Sequence, residues 1–301
     1  MLRVRLCVLA AVCVGRPAHG QDPASLRDRI EARIAQAPAR AVGLYFRDLA
    51  TGDSLLVGAR VRFHAASTMK VPVMVQLYRD RDAGRLSLDD SIPVTNTFHS
   101  IVDSSTYLLD KADDSDSLLY GRVGGRASIR ELVELMETVS SNLATNLLIA
   151  RVGAPRANAT AHALGADSIL VLRGVEDGKA YRAGLNNTTT ARDLGVILAA
   201  IAQHRAASPP SCHEMLAILG RQQFNEGIPA GLPVGTRVYH KTGWVGGLVY
   251  HDAAIVERPD GRRYVLVVLT GGIQKPDDAY RLVSDLSRMV FESAGRQAQE
   301  R

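Results

Sequence analysis

The chain has 301 residues, 46% of them hydrophobic and 22% charged, with a net charge of +5. That length supports a sizeable core in one large domain or two small ones, and the composition excludes disordered and fibrous classes. No basic stripe accompanies the positive charge, so no nucleic-acid partner is expected.

At the start, Arg3 and Arg5 precede an apolar run over residues 6–14, and Ala18-His19-Gly20 supplies small residues beyond it. This pattern predicts a secretory signal peptide over residues 1–20, cut before Gln21, and export to the periplasm or the medium. The run is too short to cross about 30 Å of hydrocarbon. No later segment is long and apolar enough either, so stable membrane insertion is not expected. Cleavage removes Arg3, Arg5 and Arg16, and with them Cys7 and Cys13. Cys212 then has no intramolecular partner, and the core alone must hold the mature chain. Residues 21–301 are expected to form a single, monomeric domain.

Ser25 reads as the N-cap of a helix over 25–36, with Leu26, Ile30 and Ile34 on one face. Strands at 41–49 and 54–57 flank the turn Thr51-Gly52-Asp53 and predict a hairpin. The pattern becomes helical over 68–81. Residues 90–127 are polar and irregular and include Asp113-Asp114-Ser115-Asp116. Helices follow at 128–138, 142–151 and 191–203. Beyond Gly227 the chain reads as strand. The runs 247–258 and 262–269 flank Pro259-Asp260-Gly261, a second hairpin signal. A closing helix over 276–293 places Ala279, Leu282, Leu286 and Met289 on one face. This order predicts an α+β fold. An antiparallel sheet flanked by helices would come from about 25–62 and 204–295, and an all-helical lobe from about 63–203. A substrate cleft is expected at the seam.

Three short motifs carry possible chemistry. In Ser67-Thr68-Met69-Lys70 the serine and lysine sit three apart, on one helix face. A serine needs a base to become nucleophilic, and a helix N-terminus disfavours a charged lysine while favouring a developing alkoxide. By itself the motif reads more readily as a helix cap followed by a solvated lysine. In Ser140-Ser141-Asn142 a hydroxyl can pass a proton to a leaving nitrogen, and an amide can hold a carbonyl. Either serine also suits a plain N-cap. In Lys241-Thr242-Gly243 the first two side chains can bind a carboxylate, and the glycine admits close approach to the backbone. An exposed strand end reads the same way.

Each motif occurs once, in the order Ser-x-x-Lys, Ser-x-Asn, Lys-Thr-Gly, and together they resemble the class A β-lactamase and penicillin-binding set. The resemblance extends through the N-terminal hairpin, residues 63–70, residues 140–148 and Asn187-Thr188-Thr189-Thr190. It implies a class A β-lactamase/transpeptidase-like fold and hydrolysis of β-lactam amides, small-molecule substrates, with no cofactor or metal. It assigns Ser67 as nucleophile, Lys70 as its activator and Ser140 as the proton shuttle. Asn142 would hold the substrate amide, and Lys241 and Thr242 its carboxylate. Backbone N–H groups of Ser67 and Trp244 would form the oxyanion hole, and Gly243 would let substrate approach the strand backbone. A related D,D-peptidase or esterase, or a sensor that is acylated once, shares this machinery.

The chain departs from the pattern in three places. Ser141 stands where class A enzymes usually carry aspartate, the stretch between the first two motifs is long, and the loop 173–187 is about two residues short. The family's deacylation glutamate is best matched by Glu176. Asp177 is the rival, and both also read as solvated loop acids. Gly52-Asp53-Ser54-Leu55 spells another hydrolase motif, but lies in a hairpin turn and lacks a following Asp-x-x-His. No Gly-x-Ser-x-Gly elbow is present. The eight histidines have no His-x-His or His-x-x-x-His pair, so zinc is not expected, and His64 and His240 read as structural neighbours of the motifs.

Overall fold

The computed structural model describes residues 25–299. The expected signal peptide over residues 1–20 and its cleavage point lie outside the described residues.

The first helix, α1 (Leu26–Ala35), starts where Ser25 predicts. The Ser25 hydroxyl accepts from Asp28 N–H and the Asp28 carboxylate accepts from Ser25 N–H, so two end groups are satisfied at once. The hairpin follows as β1 (Ala41–Asp48) and β2 (Ser54–Val57), antiparallel with Leu44 opposite Val57. A short strand β3 (Phe63–His64) leads into a 3-10 turn (Ala66–Met69) and then α2 (Lys70–Asp82). The sequence runs these last two together as one helix.

α2 is buried from Lys70 to Tyr78. A helix apolar on every side belongs inside a protein rather than on its surface, and α2 forms the axis of the helical lobe. Around it lie α3 (Ile129–Thr138), α4 (Asn142–Val152) and α5 (Ala154–Ala163). The polar stretch before α3 is ordered in small pieces. β4 (Ser91–Pro93) pairs with β7 (Arg126–Ser128), and β5 (Phe98–His99) with β6 (Thr106–Tyr107). Side chains supply what long ladders do not: Asn96 donates to Leu109 O and accepts from Leu109 N–H, and Asp110, Asp114 and Asp116 accept from amides two residues on.

After α5 come the short α6 (Gly178–Arg182), β8 (Thr188–Thr189) paired with β3, then α7 (Ala191–Ala202) and α8 (Pro209–Leu219). The chain then adds β9 (Arg237–Val245), β10 (Val249–Glu257) and β11 (Arg263–Gly271), and ends in α9 (Pro276–Gln299). The main sheet has the order β2-β1-β11-β10-β9, with every neighbouring pair antiparallel. Terminal segments of the chain thus share one sheet, as the sequence predicts.

Both faces of that sheet are covered. On one side Leu44, Phe46, Ala254, Val256, Leu266 and Val268 meet Ile30 of α1 and Ala279, Leu282 and Leu286 of α9. On the other, Tyr45, Ala253, Ile255, Val265 and Val267 meet the larger core, which includes α7. α7, reckoned with the helical lobe from the sequence, lies against β1, β10 and β11. Burial on both faces explains why β10 and β11 read as nearly continuous apolar runs. β9 is the edge strand next to the 3-10 turn that carries Ser67. Its outer backbone groups are therefore free of sheet partners and available to a ligand.

Candidate active site

Ser67 sits half-buried in the 3-10 turn, at the N-terminal end of α2. Thr68 fastens that turn, its hydroxyl donating to Ala65 O at 2.6 Å, while Ala66 N–H donates to His64 Nδ1 at 3.1 Å. The adjoining β9 runs so close that a Cβ on Gly243 would lie 3.0 Å from both Ser67 N and Thr68 N. Only glycine lets the strand backbone approach the Ser67 turn to this degree.

Lys70 is fully buried, and its Nζ donates to Ser140 O at 2.8 Å, Asn142 Oδ1 at 3.0 Å and Ser140 Oγ at 3.1 Å. Burial and then the nearby charge of Lys241 hold the Lys70 amine well below its ordinary pKa, only partly opposed by Asp114, Glu137 and Glu176. Lys241 is also fully buried and donates to the same Ser140 Oγ at 3.1 Å and to Thr242 O at 3.0 Å. Ser140 Oγ thus joins the lysines of the first and third motifs.

The two serines of the second motif divide the work. Ser141 is the N-cap of α4, accepting from Ala144 N–H at 3.2 Å. Ser140, with φ +60°, is turned away from the helix toward the lysines. Asn142 begins α4 and bridges onward: its Oδ1 accepts from Lys70, and its Nδ2 donates to Glu176 Oε1 at 2.8 Å. Ala66, Ser140 and Glu176 all have positive φ, at +47°, +60° and +62°. Such backbone is uncommon for side chains with a Cβ and clusters where a site requires it.

The loop bearing Glu176 is closed at its neck by Arg173 and Asn187. Asn187 Oδ1 accepts from Leu172 N–H and Arg173 N–H, and Arg173 donates to Leu185 O, Gly174 O and Asn186 Oδ1. Asn146 of α4 clamps the middle, accepting from Val175 N–H at 2.7 Å and donating to Val175 O at 3.1 Å. Glu176 is half-buried, and burial raises its carboxyl pKa against the opposing hydrogen bonds from Asn142 and Asp110 N–H. Asp177 has a different setting. It caps α6, accepting from Ala180 N–H, Ile101 N–H and the Ser100 hydroxyl. Although burial pushes its pKa up, those bonds and Arg173 outweigh it and hold the carboxyl low.

Ser67, Asn142, Glu176 and Trp244 line one cleft of about 370 Å³, with His64, Tyr181 and Val245 on its walls. Lys70, Ser140 and Lys241 lie buried beneath and are linked to it as described. Thr242 borders an adjacent small cavity with Gly243, Trp244, Tyr250 and Tyr280. His240 is paired with Asp252 at 2.9 Å, and His251 donates to His64 O. Among the described residues no group of three or more histidine, cysteine or acidic side chains is placed to hold a metal.

One site residue is not foreseen from the motifs. Asp114 lies in the irregular stretch, and both its oxygens accept from Asn142 N–H, while Oδ2 also accepts from Leu143 N–H. Tyr120 adds its hydroxyl at 3.1 Å. A carboxylate at a helix N-terminus meets unpaired amides and a favourable dipole. The acidic run 113–116 is a visible signal, but its partner lies 28 residues further on.

The Ser67 turn, two buried lysines sharing one hydroxyl, and a loop carboxylate come together on an α+β scaffold. The family model described as the β-lactamase enzyme family matches residues 25–294, so the chain belongs to that family. A Bacillus licheniformis β-lactamase is 23% identical over 95% of this chain and 92% of its own. A Rhodobacter capsulatus β-lactamase is 32% identical over 137 residues, 46% of this chain and 42% of that protein, so the chain's match spans less than half of that relative. The solved structure of PBP-A is 30% identical and superposes with a TM-score of 0.77, covering 90% of this chain and 96% of that one. No described helix is long and apolar enough to cross a membrane.

Proposed function

We propose that this chain is a serine β-lactamase of the class A type, exported as a monomer, that opens β-lactam rings through an acyl-enzyme on Ser67. The observation that carries the reading is the continuous hydrogen-bonded chain Lys241–Ser140–Lys70–Asn142–Glu176, whose Asn142 and Glu176 share the cleft with Ser67.

Lys70, its pKa lowered by burial, takes the Ser67 proton as Oγ attacks the lactam carbonyl. The developing oxyanion is met by the N–H groups of Ser67 and Trp244, a reading supported by the close packing of Gly243 on the Ser67 turn. Lys241 and Thr242 hold the substrate carboxylate. Ser140, bonded to both lysines, hands its proton to the departing nitrogen and regains one from Lys70. Glu176 then draws a proton from water as that water attacks the ester; the carbonyl–Oγ bond breaks and Ser67 Oγ takes back that proton from Glu176 by way of Lys70. The raised pKa of Glu176 suits a general base working near neutral pH. No cofactor enters these steps.

A second reading is a related D,D-peptidase or esterase, or an acylated sensor, which would use the same acylation machinery. A leucine-to-glutamate variant of PBP-A has been solved as an acyl-enzyme complex with penicillin G. The two readings part at deacylation. Intact mass and steady-state turnover with a chromogenic cephalosporin test them together. The β-lactamase reading expects turnover with little accumulated adduct, and loss of both adduct and turnover in Ser67→Ala. Wild-type protein that stays fully acylated would move the second reading ahead.

A further inference from the structure

In the mechanism above, Lys241 and Thr242 take the ring carboxylate of the substrate and Asn142 its side-chain amide. Thr242 lies outside the lining of the Ser67 cleft, in the adjacent small cavity. The rest of the cleft, walled by the loop from Val175 to Arg182 and by Trp244 and Val245, is then left to the acyl side chain. Two aromatic side chains on these walls are well exposed, Tyr181 by 51% and Trp244 by 53%. Tyr181 stands edge-on to His64, with ring centroids 6.3 Å apart. Large apolar side chains left exposed around one concavity mark a place where a ligand is buried.

Arg173, Glu176, Asp177 and Arg182 are the charged side chains that line this cleft. Three of them are spent on fixed partners. Arg173 is buried and donates to Leu185 O, Gly174 O and Asn186 Oδ1. Glu176 accepts from Asn142 Nδ2 and Asp110 N–H, and Asp177 from the Ser100 hydroxyl, Ile101 N–H and Ala180 N–H. Arg182, the last residue of α6, differs from all three. It is exposed, and among the described residues its guanidinium has neither a hydrogen bond nor an ion pair. Lys179 on the same short helix is, by contrast, paired with Asp103 at 2.8 Å.

Arg182 is also held against the cleft wall. Its Nη1 lies 3.3 Å from where a Cβ on Gly178 would stand, and Gly178 itself lines the cleft. A side chain at 178 would contest the space that the guanidinium occupies. A guanidinium offers five N–H donors in a planar fork that matches a carboxylate. We propose that Arg182 is a specificity-determining residue that binds an acid group on the acyl side chain, so that the favoured substrates are β-lactams whose aryl side chain carries a second carboxylate. The inference rests on the serine β-lactamase reading and names a substrate class for it.

The test compares benzylpenicillin with carbenicillin, the same molecule with a carboxylate on the carbon between ring and amide. The second-order rate of Ser67 acylation is read by rapid-quench intact mass in the full chain, so the result does not depend on how the ester is released. Arg182→Gln is expected to lose roughly tenfold or more on carbenicillin, the scale of one charge-assisted hydrogen bond, and to change little on benzylpenicillin. Arg182→Lys should recover part of the loss, because it keeps the charge but not the fork. Raised ionic strength should slow carbenicillin more than benzylpenicillin in wild type, and both alike in Arg182→Gln. Lys179→Gln removes a charge from the same helix outside the cleft and should leave the ratio of the two rates unchanged. Tyr181→Ala should slow both penicillins, which share the ring. Arg182 is exposed and without partners, so its variants should fold as wild type does. An unchanged ratio in Arg182→Gln, the same loss in Lys179→Gln, or no effect of Tyr181→Ala overturns the proposal. If wild type forms no adduct on Ser67 with either penicillin, the serine β-lactamase reading falls and the proposal with it. If benzylpenicillin acylates Ser67 and Arg182→Gln does not discriminate, the proposal alone falls.

Discussion

Asp114 and Asn142 meet through the backbone: Asn142 N–H lies 2.9 and 3.0 Å from the two Asp114 carboxylate oxygens. Through Leu143 N–H, at 2.9 Å, the same carboxylate closes the start of α4. The irregular stretch before α3 thereby anchors the residue that connects Lys70 to Glu176. Asp114→Ala leaves two backbone amides without their acceptor, a loss of about 1–3 kcal/mol. Urea unfolding should show that loss. Turnover should fall further than stability explains, because Asn142 loses its fixed position. Turnover unchanged in the folded variant would detach Asp114 from the site.

Glu176 and Asp177 are adjacent in sequence and differently occupied in space. Glu176→Gln is expected to leave acylation largely intact and to trap the adduct, slowing deacylation by about 10²–10⁴-fold. Because burial raises the Glu176 pKa, the acid limb of kcat should lie above the ordinary carboxylate range, and should vanish in this variant. Asp177→Asn should act mainly on loop stability, since it weakens the contacts to Ser100, Ile101 and Ala180. Rapid-quench mass spectrometry reads the trapped fraction. Normal turnover by Glu176→Gln would place the base elsewhere.

Gly243→Ala puts a methyl group 3.0 Å from Ser67 N and Thr68 N and 3.1 Å from Thr68 Cγ2. Those neighbours are mostly backbone, so the turn must shift. Displacing an oxyanion donor typically lowers kcat by about 10²–10³-fold. We expect a folded protein with kcat reduced in that range and a smaller change in KM. Near-normal kcat would show that the donors lie elsewhere.

His251 ties the sheet to the segment before Ser67. It donates to His64 O at 2.9 Å and accepts from Thr270 N–H at 3.3 Å, so its neutral form fits. Burial lowers its pKa from 6.5 to about 4. The folded value lies below the unfolded one, so this contribution is complete above pH 6.5 and is lost as pH falls toward 4. The loss amounts to roughly 3 kcal/mol at most. Unfolding free energies measured across that window should decline in wild type. His251→Gln should lack this part of the decline, and equal slopes in both proteins would refute the assignment.

Much of this protein is legible one segment at a time. The Ser25 cap, the β1–β2 and β10–β11 hairpins and the apolar face of α9 follow from turn chemistry and periodicity, which act between residues a few positions apart. The three motifs are equally visible as strings. α5, α6 and α8 are not, α6 being only five residues long, and the 3-10 turn before α2 merges with the helix it precedes. What the tertiary structure decided is the wiring. Ser141 caps a helix while Ser140 reaches two lysines, through a φ of +60° that no pattern announces. Glu176 meets Asn142 across 34 residues, and Asp114 meets it across 28. Sequence patterns register local geometry, whereas these contacts depend on how separate elements pack. That packing also removes water, and the resulting burial shifts the Lys70 and Glu176 pKa values toward the chemistry proposed for them.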